Sequence, residues 1–76
     1  AAADRLAAQV ARAAAALRAA DLLKPPGVAE SLDWTEALVA LGVRDLDPDS
    51  AARTLGAVLK YREDRERGLA ALFDGG

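Results

Sequence analysis

The chain has 76 residues with ten basic and twelve acidic side chains, a formal net charge of −2, and the two signs are mixed along its length, which leaves no basic face for nucleic acid. With neither Cys nor His it has no disulfide framework, no thiolate nucleophile, no imidazole base and none of the usual zinc ligand sets, a composition that suits a reducing cytoplasm. Alanine supplies 20 residues, half of the hydrophobic content, isoleucine is absent and no β-branched alternation is visible, so the expected fold is all-α with a thin core.

From Ala3 to Ala20, Leu6, Val10 and Leu17 recur at spacings of four and seven with Ala13 and Ala14 between them, one stripe of a first helix. Its other face carries Asp4, Arg5, Gln9, Arg12 and Arg18. The apolar run Ala13 to Leu17 is bracketed by Arg12 and Arg18 and falls far short of the roughly 20 residues a membrane span needs. A membrane-surface role is disfavoured too, because a mostly alanine face grips lipid poorly. The helix is expected to end near Lys24, since Pro25 disfavours α conformation at the residue before it and Pro26 extends the break. Leu22 and Leu23 are expected to plug the junction.

Gly27 reads as the N-cap of a second helix with Glu30 at its third position, where a carboxylate meets free N–H groups and the positive end of the helix dipole. This helix runs to about Leu41 and stops at Gly42. Val28, Leu32 and Val39, with Thr35 between, form one edge of its stripe; Trp34, Leu38 and Leu41 form the other, with Trp34 as the core anchor. Asp47-Pro48 is a second start signal, Asp47 as N-cap and Pro48 at N1. The third helix is expected to reach Tyr61 or beyond with Ala52, Leu55, Val58 and Leu59 inward. Gly56 either permits a close helix crossing or weakens the middle by about 1 kcal/mol. The run Tyr61 to Arg67, with i,i+4 pairs Arg62/Glu66 and Glu63/Arg67, reads as a solvated continuation interrupted by Gly68. Leu69, Leu72 and Phe73 then sit on a short final helix before Asp74-Gly75-Gly76 frays. The whole chain, 1–76, is thus expected to be one domain, a small bundle of three main helices plus a short C-terminal one.

No catalytic constellation stands out. Asp33 and Glu36, or Asp45, Asp47 and Asp49, are clustered carboxylates without a nucleophile or a second ligand type beside them. Pro48 explains the spacing of Asp47 and Asp49 by helix capping, so no metal site is assigned. The turn Lys24 to Gly27 sets backbone N–H groups at a helix start and offers a place for an anion, although one Lys and one Gly are a short signal.

The ordered series Lys24-Pro25-Pro26-Gly27-Val28-Ala29-Glu30-Ser31-Leu32-Asp33-Trp34, Leu46-Asp47-Pro48-Asp49 and Val58-Leu59-Lys60-Tyr61-Arg62 resembles the C-terminal helical lid of MoxR-type AAA+ ATPases over Asp21 to Asp64. In that family a helix opened by a Gly/Pro turn precedes an Asp/Pro-capped helix ending in a Leu-basic-aromatic-Arg signature. The resemblance implies that Lys24, Gly27 and Glu30 form a nucleotide-facing turn. The family's sensor 2 arginine falls at or next to Glu30, and a carboxylate cannot make its phosphate contact; Glu30 is expected to cap the helix or to pair with a basic group of a neighbouring subdomain. Lys60 and Arg62 would lie at contacts with the ring. The parent would be an ATPase using ATP and Mg²⁺, with the large ATPase subdomain and a neighbouring protomer as partners, often alongside a von Willebrand factor A-domain protein. No GxxxxGK[ST] loop occurs in the chain, so hydrolysis would belong to a separate core. The absence of Met and the start Ala1-Ala2-Ala3 fit a segment of a longer protein, or initiator removal.

Two other classes of function bear on the same residues. A free-standing adaptor, binding an amphipathic partner helix without nucleotide, also suits a thin core and Ala-rich faces. A helix-turn-helix nucleic-acid binder does not, because the helix after Gly42 to Asp47 opens with Asp47 and Asp49 and has only Arg53 nearby.

Overall fold

The computed structural model describes residues 2–73, and among them it contains four α-helices and no strand: α1 Ala2–Ala19, α2 Val28–Ala40, α3 Pro48–Val58 and α4 Arg62–Phe73. The Asp74 to Gly76 end lies outside the described residues, as does Ala1. Leu6, Val10, Ala13, Ala14 and Leu17 are all buried, so the α1 stripe faces the core as its spacing requires. The helix ends at Ala19, earlier than the prolines demand. In a longer helix the N–H groups of Leu23 and Lys24 would bond back to the helix; here the Asp64 carboxylate takes both, at 2.8 and 2.9 Å. Only Leu22 plugs the junction, while Leu23 is exposed.

Gly27 caps α2 in an extended conformation, and the Glu30 carboxylate accepts its N–H at 3.2 Å. At the other end Gly42 takes φ +77, Gly42 N–H bonds Val39 C=O and Val43 N–H bonds Leu38 C=O, the paired closure that a left-handed glycine allows. Trp34 and Leu38 are fully buried, whereas Val28, Leu32 and Val39 are exposed, so only the Trp34 edge meets the core, and without Leu41, which is exposed past the end of the helix. Asp47 caps α3 as expected: its carboxylate accepts the Ser50 N–H at 2.7 Å and its own N–H bonds the Ser50 hydroxyl at 3.0 Å. Ala51, Leu55, Val58 and Leu59 are buried; Ala52 is exposed, one position off the inward stripe.

The third helix does not continue through Tyr61. It stops at Val58, because Leu59 turns to an extended conformation (φ −110, ψ 124) that drives its side chain into the core. The chain then reverses at Lys60 and Tyr61 and starts α4 at Arg62, with Arg65 N–H bonded to Tyr61 C=O. Gly68 does not interrupt this last helix either. It is buried inside α4, where a Cβ would come within 2.8 Å of Leu17 Cδ2 and 3.2 Å of Leu59 Cδ1, so its missing side chain sets the close approach of α4 to α1. Gly56 is not a crossing point: it is exposed, and the Arg65 side chain lies over it.

Each helix packs on two neighbours, α1 on α2 and α4, and α3 on α2 and α4, closing a four-membered ring around Trp34, Leu6, Leu17, Leu38, Leu55 and Leu59. The core polar pair is satisfied internally. Trp34 Nε1–H donates to the Thr54 hydroxyl at 2.7 Å, and that hydroxyl donates to Ser50 C=O at 2.7 Å. No helix among the described residues is long and apolar enough to cross a membrane.

Candidate functional site

The turn from Lys24 to Glu30 is held from below by α4. Asp64, in the first turn of α4 and fully buried, receives the N–H groups of Leu23 and Lys24 on its two oxygens. Arg67, three residues on and therefore on the same face, donates to Asp21 C=O at 3.3 Å. Together they bind three main-chain groups of the α1–α2 loop, and the absence of a side chain at Gly68 lets the helix sit close enough to do so. From the other side, Gly27 C=O accepts both the Ser31 N–H at 3.1 Å and the Ser31 hydroxyl at 2.9 Å. The start of α2 is therefore fixed at both its backbone and its cap.

Above this platform lies a cleft of about 120 Å³ lined by Lys24, Pro25, Glu30, Val58 and Lys60. It brings two of the three turn residues, Lys24 and Glu30, together with Lys60 from the α3–α4 reversal. Two basic residues and one acidic residue thus line one concavity. Gly27 and Arg62 do not line it: Gly27 is the exposed cap beside it, and Arg62 is exposed at the first residue of α4. The Leu59-Lys60-Tyr61-Arg62 signature forms the turn between two helices rather than the end of one. Lys60 Nζ stands 5.8 Å from the centre of the Tyr61 ring, within cation–π range, so the ring supports the ammonium at the edge of the cleft.

Asp45, Asp47 and Asp49, in the α2–α3 loop and the first turn of α3, are committed to structure. Asp45 accepts Gln9 Nε2–H at 2.9 Å and pairs with Arg5 Nε at 2.9 Å, while Gln9 Oε1 accepts Leu46 N–H at 2.7 Å. Asp49 pairs with Arg53 one turn on, both well exposed. The Ser50 N–H and then the Ser50 hydroxyl hold the Asp47 carboxyl below the ordinary carboxylate range, with burial opposing weakly. No group of three or more potential metal ligands occurs among the described residues.

Asp64, Arg67 and Gly68 are the residues that pattern reading missed. Inside the run Glu63-Asp64-Arg65-Glu66-Arg67 a buried aspartate looks like any solvated charge. The only available signal was the lack of an apolar stripe across Tyr61 to Gly68, which a helix packed on a thin core needs some other means to replace. The chain matches no protein-family model, no curated protein and no solved structure.

Proposed function

We propose that this chain is the helical lid of a MoxR-type AAA+ ATPase, closing over ATP bound by a separate core domain and coupling nucleotide state to ring assembly and chaperone-like remodelling. The observation that supports it most is the clamp of Asp64 and Arg67 on residues 21–24. It ties the loop that leads into α2 to α4, beside the cleft that Lys24 and Glu30 line with Lys60. Of these points Lys24 is joined to α4 directly, by the charge-assisted bond from its main-chain N–H to Asp64.

Taken alone, the cleft does not fit a phosphate group. Glu30 stands where the resemblance puts an arginine, and its carboxylate is turned back to the Gly27 N–H. ATP and Mg²⁺ would therefore be held by the core domain, and no catalytic step is assigned to this chain. Its part is mechanical: Lys24 offers positive charge to the large ATPase subdomain, and Lys60 and Arg62 offer it to a neighbouring protomer. A von Willebrand factor A-domain partner belongs to the same expectation.

The test is the double charge reversal Lys60→Glu/Arg62→Glu in the full-length protein. Both side chains are exposed, so the melting temperature is expected to hold while ring assembly, followed by sedimentation, is weakened. Unchanged sedimentation and unchanged ATPase activity would overturn the reading.

A further inference from the structure

The joint between α3 and α4 is the one junction among the described residues that nothing local marks. Pro25 and Pro26 break the chain after α1, Gly42 closes α2, Gly27 with Glu30 opens α2, and Asp47 with Ser50 opens α3. Between Val58 and Arg62 stand only Leu59, Lys60 and Tyr61, residues that a helix interior accepts, and Tyr61 is not a capping type. Leu59 N–H bonds Leu55 C=O at 2.8 Å and Arg65 N–H bonds Tyr61 C=O at 3.1 Å, both with the spacing of a continuous helix. The N–H groups between them, from Lys60 to Asp64, reach no main-chain acceptor among the described residues. A straight helix would give each of them one, from Gly56 C=O to Lys60 C=O. What holds the joint bent is therefore the burial of Leu59 and the docking of α4, and that docking is largely polar. Leu6, Val10 and Leu17 anchor α1, Trp34 and Leu38 anchor α2, and Leu55 and Val58 anchor α3, whereas the buried residues of α4 are Asp64 and Gly68, with Leu69 and Leu72 only half-buried.

We infer that this joint is a hinge through which two copies of the chain exchange α4. Residues 48–73 straighten into one helix of about 39 Å, and its second half docks on the other copy. What α4 leaves behind selects the occupant. The N–H groups of Leu23 and Lys24 take the two oxygens of Asp64, Asp21 C=O takes Arg67, and beside Leu17 there is room for a residue without a side chain, which is Gly68. A second α4 supplies all of these at once, so exchange re-forms the docking contacts and adds the hydrogen bonds across the joint. The present burial of Leu59 and the lost freedom of association oppose it, which confines the exchanged dimer to high protein concentration. The inference rests on this joint alone and is separate from the lid reading.

The test is to unfold the chain in urea, refold it at about 20 μM and about 1 mM, and read its mass by light scattering after size exclusion. The dimer fraction is expected to rise with concentration. In a dimer of one isotopically labelled and one unlabelled chain, filtered NOE spectra should place Leu17 methyl protons of one copy against Gly68 Hα of the other. Tyr61→Ala raises helix propensity at the joint in both copies and should increase the dimer association constant about 3-fold or more. Lys60→Pro cannot enter a continuous helix, yet it follows a residue already in the extended conformation that proline favours before it, so it should remain a folded monomer at both concentrations. Monomer alone for both the parent and Tyr61→Ala, a dimer that Lys60→Pro leaves intact, or a dimer in which every Leu17–Gly68 contact stays within one copy would overturn the inference.

Discussion

The Asp64 carboxylate accepts the main-chain N–H of Lys24 at 2.9 Å across forty positions of sequence, and its other oxygen accepts Leu23 N–H at 2.8 Å. A buried charge in so small a core is tolerated because both oxygens are occupied, and no described buried side-chain polar atom lacks a partner. Asp64→Ala would leave two main-chain donors without an acceptor, so a loss of about 3 kcal/mol is expected in urea unfolding. Asp64→Asn retains one acceptor and should fall between the two. If the alanine variant unfolds at the same urea concentration as the parent, the clamp does not hold the turn.

The two glycines of α3 and α4 should respond in opposite directions to the same change. At Gly56 a methyl group meets only the end of the Arg65 side chain at 3.1 Å, which can move aside, so Gly56→Ala is expected to stabilise by up to about 1 kcal/mol through helix propensity. At Gly68 it meets buried Leu17 at 2.8 Å and Leu59 at 3.2 Å; overpacking of about 1–3 kcal/mol should outweigh the same propensity gain. Thermal melts of the two single variants decide it, and a stabilising Gly68→Ala would mean that α4 does not approach α1 as closely as described.

Thr54 links the core aromatic to its helix, receiving the Trp34 N–H while donating to Ser50 C=O. Thr54→Val keeps the shape and removes the acceptor, leaving a fully buried indole N–H unpaired, for an expected cost of about 1–3 kcal/mol. Trp34 is the single tryptophan, so its fluorescence reports both the unfolding midpoint and the local change. An unaltered midpoint would show that the indole finds another partner.

The cap of α3 should be visible in the acid limb of stability. The Asp47 carboxyl has a folded pKa below its unfolded value, because the Ser50 N–H and hydroxyl favour the ionised form. Its contribution is therefore fully present above the unfolded value, about 4, and is lost as pH falls through the lower folded value. Asp47→Asn keeps an oxygen at the cap but cannot titrate. The difference in stability between parent and variant is expected to be constant from about pH 7 to pH 5 and to shrink below about pH 4. A difference that is flat to the lowest pH would rule out the cap as its source.

Helix starts were the most legible part of the fold, since Gly27 with Glu30 and Asp47-Pro48 are local devices whose chemistry is complete within four residues. The Gly42 stop was legible for the same reason. The break at Leu59 was not, because neither Gly nor Pro marks it. It exists because Leu59 gains burial by leaving the helix, a long-range effect. Asp64 and Arg67 were hidden by their neighbours, which alternate in sign as a solvated helix does, and Gly68 looked like a breaker when its function is to admit Leu17. Of the candidate site, Lys24, Glu30 and Lys60 do share a cleft, while Gly27 and Arg62 stand outside its lining. Spacing alone could not show that the turn and the α3–α4 reversal meet, because the meeting depends on the very break that spacing did not reveal.

The most direct test of the lid reading is to translate the coding DNA upstream of Ala1 in frame. The account predicts a strand, a GxxxxGK[ST] loop and a helix within roughly 150 to 250 residues, followed by an acidic pair for Mg²⁺. A start codon close to Ala1, or an upstream frame of that length with no such loop, would contradict it.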